Sequence, residues 1–268
     1  VVDLYKDYRF TKGIVTISNA YYNSGINFNN KFYNNTIQEC YIGYEIVGNS
    51  YYPDEQNEIG TIDGGISEIK NLGGNDSYVL YGISFKYQKG ISVHNNKIYD
   101  FQSNSSYIYG IYFQNCSYDT VKIYNNEITN FSSTYYSQGS IYPIYSSSEN
   151  YAAVQIYDNE IYGFVLTNQN FCGIDVSMGN TKINGNKIHN IENTLNNNRS
   201  VQGIKISSCG THYVYNNMIY DLRAPHASPS SATYASVYGI FIGTPSEQNF
   251  KVNLYNNTIF LNYTSDNI

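Results

Sequence analysis

A six-residue phrase recurs along this chain, and no other feature limits its fold as tightly. It consists of an apolar residue, a spacer, an Asn pair, a variable residue and Ile. It appears as Phe32-Tyr33-Asn34-Asn35-Thr36-Ile37, Val93-His94-Asn95-Asn96-Lys97-Ile98 and Ile123-Tyr124-Asn125-Asn126-Glu127-Ile128. It continues as Ile156-Tyr157-Asp158-Asn159-Glu160-Ile161, Ile183-Asn184-Gly185-Asn186-Lys187-Ile188, Val214-Tyr215-Asn216-Asn217-Met218-Ile219 and Leu254-Tyr255-Asn256-Asn257-Thr258-Ile259. Its second Asn falls at 35, 96, 126, 159, 186, 217 and 257, with gaps of 61, 30, 33, 27, 31 and 40. The gap of 61 is two periods, with a degenerate copy expected at Asn57-Glu58-Ile59. Between the Asn pairs runs a second phrase: Gly82-Ile83-Ser84-Phe85, Gly110-Ile111-Tyr112-Phe113, Gly173-Ile174-Asp175-Val176, Gly203-Ile204-Lys205-Ile206 and Gly239-Ile240-Phe241-Ile242, with Pro143-Ile144-Tyr145 once in its place. Two phrases sharing one drifting period near 30 mark a repeat architecture.

Both phrases alternate apolar and polar residues over a few positions, and β-branched Ile dominates the apolar ones, which is strand patterning. No apolar stripe of helical period runs for a helical length. The prediction is an all-β fold: one right-handed parallel β-helix over residues 1–268, with about eight coils at ~4.8 Å each. An antiparallel sandwich gives no reason for the same Asn pair to return every 30 residues. A propeller blade of roughly 40–45 residues is too long for these gaps. Stacking accounts for the Asn: it tolerates left-handed turns, and its amide can bond to the same residue one coil above and below. The expected ladder is Asn35, Asn96, Asn126, Asn159, Asn186, Asn217 and Asn257. Variation in period must go into loops, expected at 132–141, 192–200, 222–237 and 243–251.

Composition narrows the function. The 38 Asn and 32 Tyr would suit a disordered tract only if apolar residues were scarce or randomly placed, and they are neither. Charged residues are 13% and the net charge is -6, so the basic face of a nucleic-acid binder is missing. No apolar run approaches the roughly 20 residues of a membrane span. The start, Val1-Val2-Asp3, has neither an initiator Met nor a signal sequence, so translation is expected to begin upstream.

The alternation of Asn-Asn-x-Ile with Gly-Ile-x-apolar resembles the right-handed parallel β-helix repeats of the pectin-lyase-like superfamily. The stretches from Val214 to Pro225 and from Leu254 to Asn262 resemble more closely the repeat regions of very large secreted surface proteins of Bacteroidota-like bacteria. The resemblance covers roughly 26–262. It implies a β-helix and an extracellular or cell-surface setting, but these repeats occur in enzymes, adhesins and passive stalks alike. The family's multi-aspartate hydrolase pattern is missing, so no catalytic residue carries over.

Outward residues stack in rows. The row before the Asn pairs is Tyr33, His94, Tyr124, Tyr157, Asn184, Tyr215 and Tyr255; it is either a strip for sugar rings or plain cross-strand stacking, with Tyr124 and Tyr157 as ligand-binding candidates. In the row after the pairs, Lys97 is expected to face Glu127, and Glu160 to face Lys187, as a solvated charge ladder rather than an acid–base pair. On the Gly-Ile face, Tyr112 and Tyr145 are further ligand-binding candidates. Asp175 and Lys205 are vertical neighbours and the only, weak, catalytic candidates; they fall short of the base and acid cluster of a lyase. Cys40 should be a buried thiol, Cys116 and Cys209 lie too many coils apart to bridge, and no His/Cys cluster suggests a metal. Asn-x-Ser/Thr at Asn104, Asn130 and Asn198 is expected by accident in so Asn-rich a chain.

The expected function is therefore a non-enzymatic extracellular structural or adhesive segment, with no cofactor. Its partners would be adjacent repeats or other copies end to end, or glycans. The alternative is a polysaccharide lyase, a glycoside hydrolase or a carbohydrate-binding β-helix.

Overall fold

In the computed structural model the alternating residues of each phrase become short parallel strands around one apolar interior. The structure describes residues 2–3, 11–18, 22–74, 77–117, 119–135, 139–147, 152–177, 179–194, 199–207, 209–224, 237–243 and 249–261. Every strand pairing among them is parallel, and the only helical element is a 3₁₀ turn at Asn23–Gly25. Each coil gives one strand to each of three sheets. An entry sheet of eight strands, from Lys31–Tyr33 to Phe250–Tyr255, leads into the Asn pairs. An exit sheet runs from Thr36–Gln38 to Thr258–Phe260, with Val2–Asp3 added at its first edge. A glycine sheet of eight strands, from Lys12–Ile17 to Val237–Ile242, carries the second phrase. The chain is a parallel β-solenoid.

Register follows the repeat residue for residue. Ile98, Ile128, Ile161, Ile188, Ile219 and Ile259 stack in the exit sheet. Ile83, Ile111, Ile144, Ile174, Ile204 and Ile240 stack in the glycine sheet. Phe101, Phe131 and Phe164 fill the space between, and Cys40 occupies their position with no exposure, as expected. Strands end at 133, 193, 223 and 242 and resume at 139, 201, 237 and 250; within the expected loops, 136–138, 195–198, 225–236 and 244–248 lie outside the described residues, as does the sequon at Asn198.

One expected copy is displaced. Ser67, not Asn57, pairs with Asn96, and Ile59 pairs with Val93. The second coil's phrase is thus Ile59-Gly60 and Ser67-Glu68-Ile69, split by an insertion at 61–66. The ladder positions 35, 67 and 96 are then 32 and 29 residues apart. Asn57 belongs to a separate short ladder. Its Oδ1 accepts from the Asn30 N–H at 3.0 Å and Nδ2 at 3.1 Å, and its Nδ2 donates to Gln88 Oε1 at 3.0 Å.

The two Asn of each pair have different jobs. The first makes the corner: Asn34, Asn95, Asn125, Asp158, Asn216 and Asn256 all have φ of 53–55°, and Gly185 takes the same place at 68°. Such angles suit Gly, Asn and Asp best. The second Asn turns inward. Each Oδ1 accepts both the backbone N–H and the Nδ2–H of the Asn one coil earlier, from Asn96–Asn126 through Asn217–Asn257, at 2.9–3.1 Å. The remaining Nδ2 hydrogen goes to a backbone carbonyl, as from Asn126 to Val93 at 3.0 Å. The described ladder therefore runs from Asn96 to Asn257. Before it, Ser67 Oγ donates to Asn96 Oδ1 at 2.8 Å, and Asn35, half-buried, holds the register place one coil earlier still, where its carbonyl accepts from the Glu68 N–H at 2.9 Å.

The glycine row stands where sheets meet. A Cβ at Gly203 would lie 2.5 Å from the Gly239 carbonyl oxygen and 2.9 Å from Ile219 Cγ2. Ile219 belongs to the exit sheet, so glycine here makes room for the inward Ile row. Gly203→Ala should lower stability by about 1–3 kcal/mol through overpacking. Urea unfolding should show a lower midpoint; an unchanged midpoint would mean that the coils separate freely at this row.

Candidate functional site

The outward face of the glycine sheet holds the densest set of chemistry-bearing side chains, in two rows. The first is Tyr81, Tyr109, Tyr142, Cys172, Gln202 and Tyr238, the residues immediately before each glycine or Pro143. The second is Ser84, Tyr112, Tyr145, Asp175, Lys205 and Phe241. Strict alternation would put residues three apart on opposite faces, but it breaks at the glycine: Gly82 and Ile83, like Gly203 and Ile204, both face in, so the residues on either side of the pair both face out.

The Tyr rings lie over one another. Tyr109 stacks on Tyr81 at 5.2 Å and on Tyr142 at 5.5 Å, so both its faces are covered. Tyr112 and Tyr145 stack at 5.8 Å, and each meets a ring of the first row edge-on or tilted. Burial pushes the Tyr81 and Tyr142 hydroxyls up to about 12, and Tyr109 also well above its ordinary value. The first row was missed in the sequence, though its signal was present: the position before each glycine is Tyr at 81, 109 and 238.

Where the tyrosines end, the chemistry becomes ionic. Asp175, directly after Tyr145 in register, is 1% exposed, and its Oδ2 accepts from Lys205 Nζ at 2.8 Å. The predicted vertical neighbours are therefore in direct contact. Its Oδ1 is buried with no hydrogen-bond partner. Burial raises the Asp175 carboxyl above its ordinary value against the pull of Lys205. For Lys205, burial works downward, but the nearby Asp175 outweighs it and the ammonium is held above its usual range. Cys172 lies in the neighbouring row, also buried.

The other candidates belong to separate faces. On the entry sheet His94, Tyr124 and Tyr157 stack at 5.0 and 4.8 Å, and Gly60 interrupts the row between Tyr33 and His94. Glu58 accepts from Lys31 and Tyr33; burial alone would raise its carboxyl, and these donors bring it below its ordinary value. On the exit sheet Lys97 meets Glu127 at 3.4 Å, as expected, and Glu127 also accepts from the Tyr162 hydroxyl at 2.5 Å. Glu160 departs from expectation. Lys187 pairs with it in backbone register, but its side-chain contact is His189 Nε2 at 3.1 Å. The cause is geometric: His189 is fixed between Tyr162 and Tyr220 at 5.4 and 4.7 Å, which holds its ring over Glu160. All four cysteines are free. Among the described residues no His, Cys, Asp or Glu cluster could hold a metal, and no helix is long and apolar enough to cross a membrane.

Fold and faces together define a parallel β-solenoid with an internal Asn ladder and external aromatic and ionic ladders. No protein family, no curated protein and no solved structure matches this chain.

Proposed function

We propose that this chain is a non-enzymatic structural or adhesive segment of an extracellular protein, built into a stalk or fibre. The observation that carries the reading is how the outward side chains are used. A pyranose ring stacks on an aromatic face, and the inner rings of these ladders (Tyr109, Tyr124 and His189) have both faces covered by neighbouring rings. The carboxylates Glu58, Glu127, Glu160 and Asp175 are bound to Lys, Tyr or His of an adjacent coil. Such groups strengthen the wall of the solenoid instead of converging on a substrate. The resemblance to repeats of large secreted bacterial surface proteins favours the same reading.

The test is incubation with pectins, alginates and glycosaminoglycans. No unsaturated or reducing ends should appear. Products that vanish in Asp175→Ala or Lys205→Ala would overturn the proposal in favour of a lyase or hydrolase. Glycan-array binding lost on changing Tyr112 and Tyr145 to Ala would replace it with a carbohydrate-binding function.

A further inference from the structure

We infer that Lys205 and Asp175 condense into an isopeptide bond, a covalent rung between two adjacent coils on the outward face of the glycine sheet. This adds a modification site to the structural role proposed above and does not depend on it. The two side chains already stand in a reacting arrangement. The backbone register Asp175↔Lys205 sets them side by side, and Lys205 Nζ lies 2.8 Å from Asp175 Oδ2. In the same row Tyr145 comes one coil before Asp175 and Phe241 one coil after Lys205, so an aromatic residue flanks the pair on either side.

Burial singles this pair out. In the other described ion pairs the carboxylate side chains keep 19–45% of their exposure, and that of Asp175 keeps 1%. A buried ion pair is costly unless every lone pair is satisfied, and Asp175 Oδ1 has no hydrogen-bond partner. An amide is neutral, so condensation removes both charges from this environment. Free in water, an amine and a carboxylate remain separate ions. Held together in the right orientation, two such groups react as if at roughly 10⁵–10⁸ M, which turns the balance toward the bond.

The reaction starts from the ion pair and needs no oxidant or co-reactant. One ammonium proton crosses to Asp175 Oδ2, leaving a neutral amine beside a neutral carboxyl. Burial of the carboxyl favours this transfer, and the hold of Asp175 on the Lys205 ammonium opposes it, so the neutral pair is the minor form and the bond forms slowly. The Nζ lone pair then attacks Asp175 Cγ, and the C–N bond forms. A second proton passes from Nζ to Oδ2, the Cγ–Oδ2 bond breaks and water leaves. Oδ1 remains as the amide carbonyl oxygen, and Nζ keeps its third hydrogen. The Lys205 side chain is 29% exposed, which gives the water a way out. The product ties together residues 30 apart in sequence.

Intact-mass measurement of the full chain, freshly purified and after days of incubation at neutral pH, tests this. The mass should fall below that of the sequence by one water. A protease digest should then yield one branched fragment joining the peptides that carry Asp175 and Lys205, identified by tandem mass spectrometry. The urea midpoint should rise as the bond forms, because the cross-link restricts the unfolded chain. Lys205→Arg keeps the positive charge beside Asp175 and should show no loss of water. The branched fragment is read on the unchanged chain, so the test stands even if that variant folds poorly. A mass that stays at the sequence value overturns the inference. Water lost without the branched fragment also overturns it, as does loss that persists in Lys205→Arg; both would point to a succinimide, for instance at Asp63-Gly64. None of these results bears on the glycan incubation, so the two proposals fail separately.

Discussion

Asn159→Ala should lower stability by about 4 kcal/mol, because at least two buried donors lose their only acceptor at roughly 1–3 kcal/mol each. Those donors are the backbone N–H of Asn126 and its Nδ2–H, both bonded to Asn159 Oδ1 at 2.9–3.0 Å. The Asn159 Nδ2 bonds to Asn186 Oδ1 and the Ile123 carbonyl, 2.9 and 3.0 Å long, also disappear. Alanine is too short to restore any of them, and the site is too buried for water to replace them at no cost. Asn257→Ala should cost much less, since Asn257 is half-buried at the end of the ladder. In a solenoid each coil contacts only its neighbours, so Asn159→Ala should also raise amide exchange most in the strands from 121 to 193 and least at the ends. Equal urea midpoints for Asn159→Ala and Asn257→Ala would mean that the ladder is a by-product of stacking and not a source of stability.

The parallel strands, their register and the inward Ile rows were legible because a residue that must meet its own copy in every coil leaves a period in the sequence. The same logic exposed Cys40, which sits where other coils have Phe101, Phe131 and Phe164. What escaped was whatever broke the period. The second coil replaces the ladder Asn with Ser67 and carries an insertion just before it, so the nearby Asn57-Glu58-Ile59 looked like the missing copy. A second corner was also passed over: Asp100, Asn130, Asn190 and Asp221, four residues after the ladder Asn, all have φ of 54–58°, and Gly163 fills the same place. Its Asn/Asp/Gly column was visible, but inside what reads as one continuous strand. The choice of His189 over Lys187 by Glu160 depends on ring stacking between coils, which no linear spacing records.

The second large effect concerns Asp175 and Lys205, and it separates a structural ion pair from a catalytic one. Lys205→Met leaves the Asp175 carboxyl buried with both oxygens unpaired, a defect worth about 3–5 kcal/mol at neutral pH. The pH dependence follows from linkage. Burial already holds the Asp175 carboxyl above its ordinary value, and Lys205 is the influence that opposes this rise. Without Lys205 the folded state keeps its proton at pH values where the unfolded carboxyl, titrating near ~4, has released it. The folded state then binds more protons than the unfolded one, so stability falls as pH rises, by up to ~1.4 kcal/mol per pH unit between the unfolded and folded values. The loss in Lys205→Met should therefore be smallest near pH ~4 and grow toward neutrality. Combining it with Asp175→Asn removes the titrating group, so the pH-dependent part should disappear and much of the stability return. Urea unfolding of the two variants across that pH range checks this. A loss in Lys205→Met that does not vary with pH would mean that Asp175 is not held as a buried carboxylate against Lys205, and the pair would lose its role in the wall of the solenoid.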